Sequence, residues 1–179
     1  MSDQDDRPVN QSPRRSAAGY FGSSSNLSLT AAAPQGGLTT PKMGEITRLH
    51  HVGFVVSSIP HEVESFAQSI GAHWDEAIFH DPLQKARVTF LRTPCPTDAL
   101  IELVEPAGGE SPVLRFLQNG GGLHHLCYEV EDLDAHLRTM RAKGAVIVRR
   151  PLPAAAFEKR RIAWTLTKQK LLLECLERQ

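Results

Sequence analysis

The chain carries one pattern of residues twice, and that repeat limits its fold more than any other feature. Leu49-His50-His51 is matched by Leu123-His124-His125, and Leu100-Ile101-Glu102-Leu103 by Leu172-Leu173-Glu174-Cys175. Between these ends Ile59 corresponds to Leu133, Val63 to Leu137, and Arg87-Val88 to Arg161-Ile162. A repeat of this length is one supersecondary unit used twice. In the first copy 49–56 is rich in β-formers and reads as a strand. Ser57 and Ser58 offer a helix cap, Pro60 suits the first turn, and Val63, Phe66, Ala67 and Ile70 follow at helical spacing up to Gly71. Strand-like runs near 72–79, 86–92 and 99–104 complete a β-α-β-β-β order. The second copy repeats it: a strand from Leu123, a helix capped by Asp132 and closed by Gly144, then strands near 145–149, 160–166 and 170–176. The class is therefore α+β, with module one over 47–107, a connector over 108–121 and module two over 122–177, all within a domain of 45–179. Ser111 and Pro112 open a short helix in the connector.

Strand alternation decides which polar side chains can meet. Neighbours along a strand point to opposite faces. His50, Val52, Phe54 and Val56 share the face that suits the helix, as do His124, Leu126, Tyr128 and Val130. His51 and His125 then point the other way, and so do Glu102 and Glu174, each flanked by apolar residues. A single strand histidine is more often a packed residue than a ligand. A carboxylate set among Leu and Ile is rarer, because burying it unpaired is expensive. Its recurrence in both copies points to a shared site. Two imidazoles and two carboxylates suit one divalent metal ion such as Co, Ni, Zn, Mn or Fe. His50 and His124 read as structural residues or as hydrogen-bond partners of the ligands.

Composition narrows the function classes. Lys plus Arg balance Asp plus Glu at 20 each, which argues against a nucleic-acid partner. No apolar run approaches the roughly 20 residues needed to span a bilayer, so no membrane partner is expected and the location reads as cytoplasmic. Cys95, Cys127 and Cys175 lack paired spacing and read as reduced thiols. Residues 1–44 are dominated by Ser, Gly, Pro, Ala and Thr and are expected to be a disordered tail, with Met43 as an alternative start.

The segments LHHVGFVV (49–56), LIELVEP (100–106), SPVLRFL (111–117), GLHHLCYEVEDLDAHL (122–137) and LLLECLE (171–177) resemble the vicinal oxygen chelate superfamily, which includes glyoxalase I, extradiol dioxygenases and bleomycin-resistance proteins. Within it they are most similar to methylmalonyl-CoA epimerase-like proteins. The resemblance covers nearly all of 47–177. It implies paired βαβββ modules making one curved eight-stranded mixed sheet around a metal cleft, with ligands at His51, Glu102, His125 and Glu174. It implies chemistry in which two neighbouring substrate oxygens meet the metal and an enolate is stabilised, with Glu174 as general base. The substrate would be a small-molecule acyl thioester or carbonyl compound, and dimers are common in the superfamily.

Three departures from the epimerase pattern bear on the reaction. The second proton-shuttling carboxylate of the first module falls near Val88, which leaves Glu102 as its substitute. The Gly-rich loop before the final strands is replaced by Pro151–Arg161, and the last hairpin reads Thr165–Lys170 without the usual His-Pro and Gly. Lys159, Arg160 and Arg161 form a basic cluster that is either a solvated loop or, with Arg87, a contact for a substrate anion. Cys127, on the cleft side, reads as a small apolar filler that lines the substrate site rather than a nucleophile, and it joins Arg87, Arg160 and Arg161 as a candidate substrate contact. Four readings stay open: an epimerase or isomerase, a glyoxalase-I-type (lactoylglutathione lyase-like) lyase, a dioxygenase, and a non-catalytic binding or resistance protein. The fourth ligand weighs against the dioxygenase, and the complete ligand set against the binder.

Overall fold

The computed structural model describes residues 46–179. The tail expected over 1–44 lies outside the described residues. The described chain runs β1 (Ile46–Val55), α1 (Ile59–Ile70), β2 (His73–Trp74), β3 (Phe79–Asp81), β4 (Ala86–Arg92), β5 (Leu100–Pro106), α2 (Leu114–Gln118), β6 (Gly122–Val130), α3 (Leu133–Ala142), β7 (Val146–Pro153), a 3₁₀ turn (Ala155–Phe157), β8 (Arg161–Leu166) and β9 (Leu172–Glu177). The strands form one mixed sheet in the order β2-β4-β5-β1-β6-β9-β8-β7, with β3 paired to β4. Nine strands stand where eight were expected. The extra one arises because the run over 72–79 is broken: Glu76 takes a left-handed backbone (φ 62°) and Asp75 Oδ1 accepts from Ala77 N.

The helices bury the residues that the repeat aligned. Ile59 and Leu133 are fully buried, and Val63 and Leu137 lie beside them in the two helix-facing cores. Gly71 ends α1 in the left-handed conformation (φ 64°), where a side chain is disfavoured. The start of α1 differs from expectation. Ser58 is the N-cap but its hydroxyl makes no cap bond. Glu62 Oε1 instead accepts from Ser57 N at 2.9 Å, and Glu105 Oε2 accepts from Ile59 N at 3.0 Å. Glu105 thus satisfies a first-turn donor, and Glu62 the N–H groups of Ser57 and Ser58 just ahead of the helix, in place of a serine cap. In α3 Asp132 caps as expected, its side chain accepting from Ala135 N.

The centre of the sheet positions the site. β1 and β6 are antiparallel to each other, and each has the last strand of its own copy as a parallel neighbour, β5 beside β1 and β9 beside β6. In this register Gly53 lies opposite both Glu102 and His125, and Cys127 lies opposite both His51 and Glu174. Two small residues therefore sit at the crossing points, each flanked by one imidazole strand and one carboxylate strand.

Candidate metal centre

The four expected side chains come together. One donor atom from each of His51, Glu102, His125 and Glu174 lies within 4.8 Å of all the others, and all four residues are buried. His51 Nε2 is 3.1 Å from His125 Nε2. Glu174 Oε2 is 3.0 Å from His51 Nε2 and 3.6 Å from His125 Nε2, and Glu102 Oε2 is 3.4 and 3.3 Å from the same atoms. Alternation along β1, β5, β6 and β9 aims these side chains at one point, as the sequence led one to expect.

Space for the rings comes from the small crossing residues. A Cβ built on Gly53 would lie 2.0 Å from His125 Cε1 and within 2.6 Å of both ring nitrogens. The His125 imidazole therefore lies directly over Gly53. Cys127, the matching residue of the second copy, is fully buried beside His51 and Glu174. Its thiol is pushed well above its ordinary value, by burial first and then by the neighbouring Glu174 carboxylate. It is a packed neutral thiol, in keeping with the filler reading.

Electrostatics favour positive charge at this point. Burial alone would keep His51 neutral, but the carboxylates of Glu102 and Glu174 outweigh it and lift the imidazole to about 10. His125 moves the same way for the same reason. Burial would raise Glu102 and Glu174, and the two imidazoles reverse that and hold both low. Glu174 Oε2 is buried without a well-aligned hydrogen bond. Two buried carboxylates and two imidazoles, one carboxylate oxygen without a well-aligned hydrogen bond, form a donor set that fits a divalent cation.

Aromatic rings enclose the centre. Phe157, from the 3₁₀ turn, stacks on His51 with centroids 5.8 Å apart, and Phe90 meets the same ring edge-on at 5.6 Å. Trp164 lies edge-on to His125 at 4.7 Å. None of the three was marked by the sequence. Alternation is the one signal for two of them, Phe90 pairing with Glu102 across β4–β5 and Trp164 with Glu174 across β8–β9, whereas Phe157 on its 3₁₀ turn has none. Above the centre a cleft of about 310 Å³ is walled by Val88, Val104, Val113, Ile162 and Leu172, with Glu102, His125 and Glu174 on its floor.

Residues 5–164 match the family described as the glyoxalase/bleomycin resistance protein/dioxygenase superfamily. The chain belongs to this superfamily. Among its curated relatives, the ethylmalonyl-CoA/methylmalonyl-CoA epimerase of Cereibacter sphaeroides is 33% identical over 105 residues, covering 58% of this chain and 75% of the relative. The human mitochondrial methylmalonyl-CoA epimerase is 29% identical over 106 residues, 58% of each chain. The crystal structure of methylmalonyl-CoA epimerase from Mycobacterium tuberculosis superposes with a TM-score of 0.68 at 26% identity, over 79% of this chain and 94% of that one. These superfamily members are enzymes, and the expectation that this chain is one too is borne out by them.

Other members of the expected set lie apart from the cluster. Arg87 pairs with Glu105 on β5. Arg161 pairs with Glu177 at 2.7 Å and with Asp134 at 3.1 Å. Arg160 donates to Glu129 Oε1 at 2.8 Å, and Arg48 to Glu129 Oε2 at 2.6 Å. The cation at the cleft wall is instead Arg149, which donates to the Leu83 carbonyl. No helix among the described residues is long and apolar enough to cross a membrane.

The Glu129 cluster gives a pH test of stability. Burial would raise Glu129, but Arg48 and Arg160 hold it down at about 2. A carboxylate lowered on folding stabilises fully above its ordinary value of about 4.5, and that contribution is lost as the pH falls towards about 2. Thermal melts should show Glu129→Gln less stable than the parent at pH 7, with the gap narrowing below about pH 4.5 and closing only as the pH falls through about 2. A gap independent of pH would remove the ion pairs from the account.

Proposed function

We propose that the protein is a metal-dependent epimerase that moves the α-proton of an acyl-CoA thioester or a closely related carbonyl substrate. The observation that carries this reading is the convergence of two imidazoles and two carboxylates, three of which (Glu102, His125 and Glu174) line an apolar cleft while His51 lies buried behind them. His51, Glu102, His125 and Glu174 would hold the cation. When bound, it supplies Lewis-acid stabilisation for the enolate charge that loss of an α-proton creates.

The chain's own residues do the rest. Glu174 is the general base: an ionised carboxylate, buried and oriented by β9, facing the cleft. Among the carboxylates lining the cleft, Asp81 is engaged by the backbone N–H groups of Gln84 and Ala155 at 2.9 Å each. Val88 lines the cleft at the position where the epimerase pattern has a further carboxylate. Glu102 is thus the second group of the shuttle: in its protonated form it gives a proton to the enolate face opposite Glu174, and exchange of the pair with solvent resets the two carboxyls. With a substrate seated against the valine and isoleucine walls, water would be displaced from the cleft, which strengthens every charge interaction inside. Arg149 and Gln84, at the same cleft, are placed to meet polar groups on the substrate.

Solvent exchange tests this directly. The metal-loaded protein, incubated in deuterium oxide with a panel of 2-substituted acyl-CoA thioesters, is expected to place deuterium at the α-carbon of at least one, and to stop when a chelator is added. No exchange with any member would overturn the reading. A second reading has one specific observation in its favour: the ligand set contains two carboxylates, and Val88 leaves no third-strand carboxylate. That set also suits a glyoxalase-I-type lyase. Turnover of a methylglyoxal–thiol adduct, with no thioester exchange, would select it.

A further inference from the structure

Strand alternation should place His50 and His124 on the helix side of the sheet, away from the ligands. The structure places them elsewhere, and the reason is a pair of matched bulges. Across β1–β6, Leu49 pairs with Tyr128 and His51 with Cys127, which leaves His50 as the extra residue on β1. Phe54 pairs with Leu123 and Gly53 with His125, which leaves His124 as the extra residue on β6. A bulge adds one unpaired residue and re-aims its side chain. Both extra residues are histidines, and each immediately precedes a candidate ligand.

Each re-aimed ring meets its neighbour through the same atoms. His50 Nδ1 lies 2.9 Å from His51 Nδ1, and His124 Nδ1 lies 3.1 Å from His125 Nδ1. The rings stand nearly perpendicular, at 79° and 87°. Aromatic neighbours hold them there. Phe157 sits 5.3 Å from His50, and Phe116 4.8 Å from His124. The Nε2 atoms of His51 and His125 point the other way, towards each other and towards Glu102 and Glu174.

Resting on the reading of the four converging side chains as cation ligands, we propose that His50 and His124 are positioning residues that fix the tautomer of those ligands. A neutral imidazole has one N–H and one bare nitrogen. Binding a cation through Nε2 requires the proton on Nδ1, the tautomer less favoured in water. An acceptor at Nδ1 stabilises that form, orients the ring and raises the basicity of Nε2. In most proteins the acceptor is a carboxylate or a carbonyl oxygen. Here it is the bare Nδ1 of a second imidazole, supplied twice by the same bulge. His50 and His124 must then carry their own protons on Nε2.

The test uses the full chain loaded with zinc, which is diamagnetic. Long-range ¹H–¹⁵N spectra are expected to show protonated Nδ1 on His51 and His125, and bare Nδ1 with protonated Nε2 on His50 and His124. This needs no substitution, so it stands even if a variant fails to fold. By chelator competition, His50→Phe and His124→Phe are each expected to weaken zinc binding by about 10–100-fold. His50→Asn, which keeps an acceptor oxygen, should recover part of the loss. Protonated Nδ1 on His50 or His124, or zinc affinity unchanged in both Phe variants, would overturn the inference while leaving the cation site intact. A parent protein that takes up no zinc would overturn the site, and the inference with it.

Discussion

Glu174→Gln is expected to lower epimerisation by about 10³-fold or more, with the fold preserved. The side chain is nearly isosteric, and its strand is locked between β6 and β8. Glutamine cannot accept the α-proton, and a positioned general base contributes about 10²–10⁴-fold. The substitution also removes one of the two negative charges that draw positive charge to the centre. Turnover should therefore be measured at saturating metal, with metal content determined on the same sample. The loss should remain when the site is full. A variant that binds metal and retains activity within about tenfold of the parent would remove Glu174 from proton transfer.

Gly53→Ala is expected to be the most damaging single-methyl change in the sheet. The new Cβ would lie 2.0 Å from His125 Cε1, with backbone on one side and a ring packed against Trp164 on the other. Neither side is the free end of a flexible chain. The ring must leave its position, and His125 Nε2 then moves away from Glu102 and His51. Overpacking of this kind costs about 1–3 kcal/mol in a well-packed core. Metal affinity should fall as well, because one of four donors is displaced. Gly109→Ala is the control: a Cβ there meets nothing within 4 Å, so stability and metal binding should match the parent. Equal behaviour of the two variants would show that His125 does not need the gap over Gly53.

The repeat made much of this legible. Ile59 and Leu133, aligned by letter alone, are both fully buried at equivalent places in the two copies. The four buried donors were reachable because strand periodicity is simple and because a carboxylate among leucines is costly without a partner. Three things were not reachable. The bulges at His50 and His124 break the periodicity, and a bulge leaves no signature in a run of β-formers. The break between β2 and β3 depends on a left-handed Glu76, a residue with no turn signal of its own. The aromatic enclosure is a long-range event, bringing Phe90 from the first copy and Phe157 from the second onto one imidazole. The basic cluster at Lys159–Arg161 attracted interest by charge density, yet Arg160 and Arg161 are engaged by carboxylates on neighbouring elements. Local composition does not reveal partners supplied by distant strands.

A cobalt(II) titration of the metal-free full chain, followed by visible absorption and equilibrium dialysis, bears most directly on whether two imidazoles and two carboxylates share one cation. The expected result is one tightly held cobalt per chain, with binding greatly weakened in both His51→Ala and Glu102→Ala. No cobalt uptake by a folded protein, or uptake that neither substitution disturbs, would contradict it.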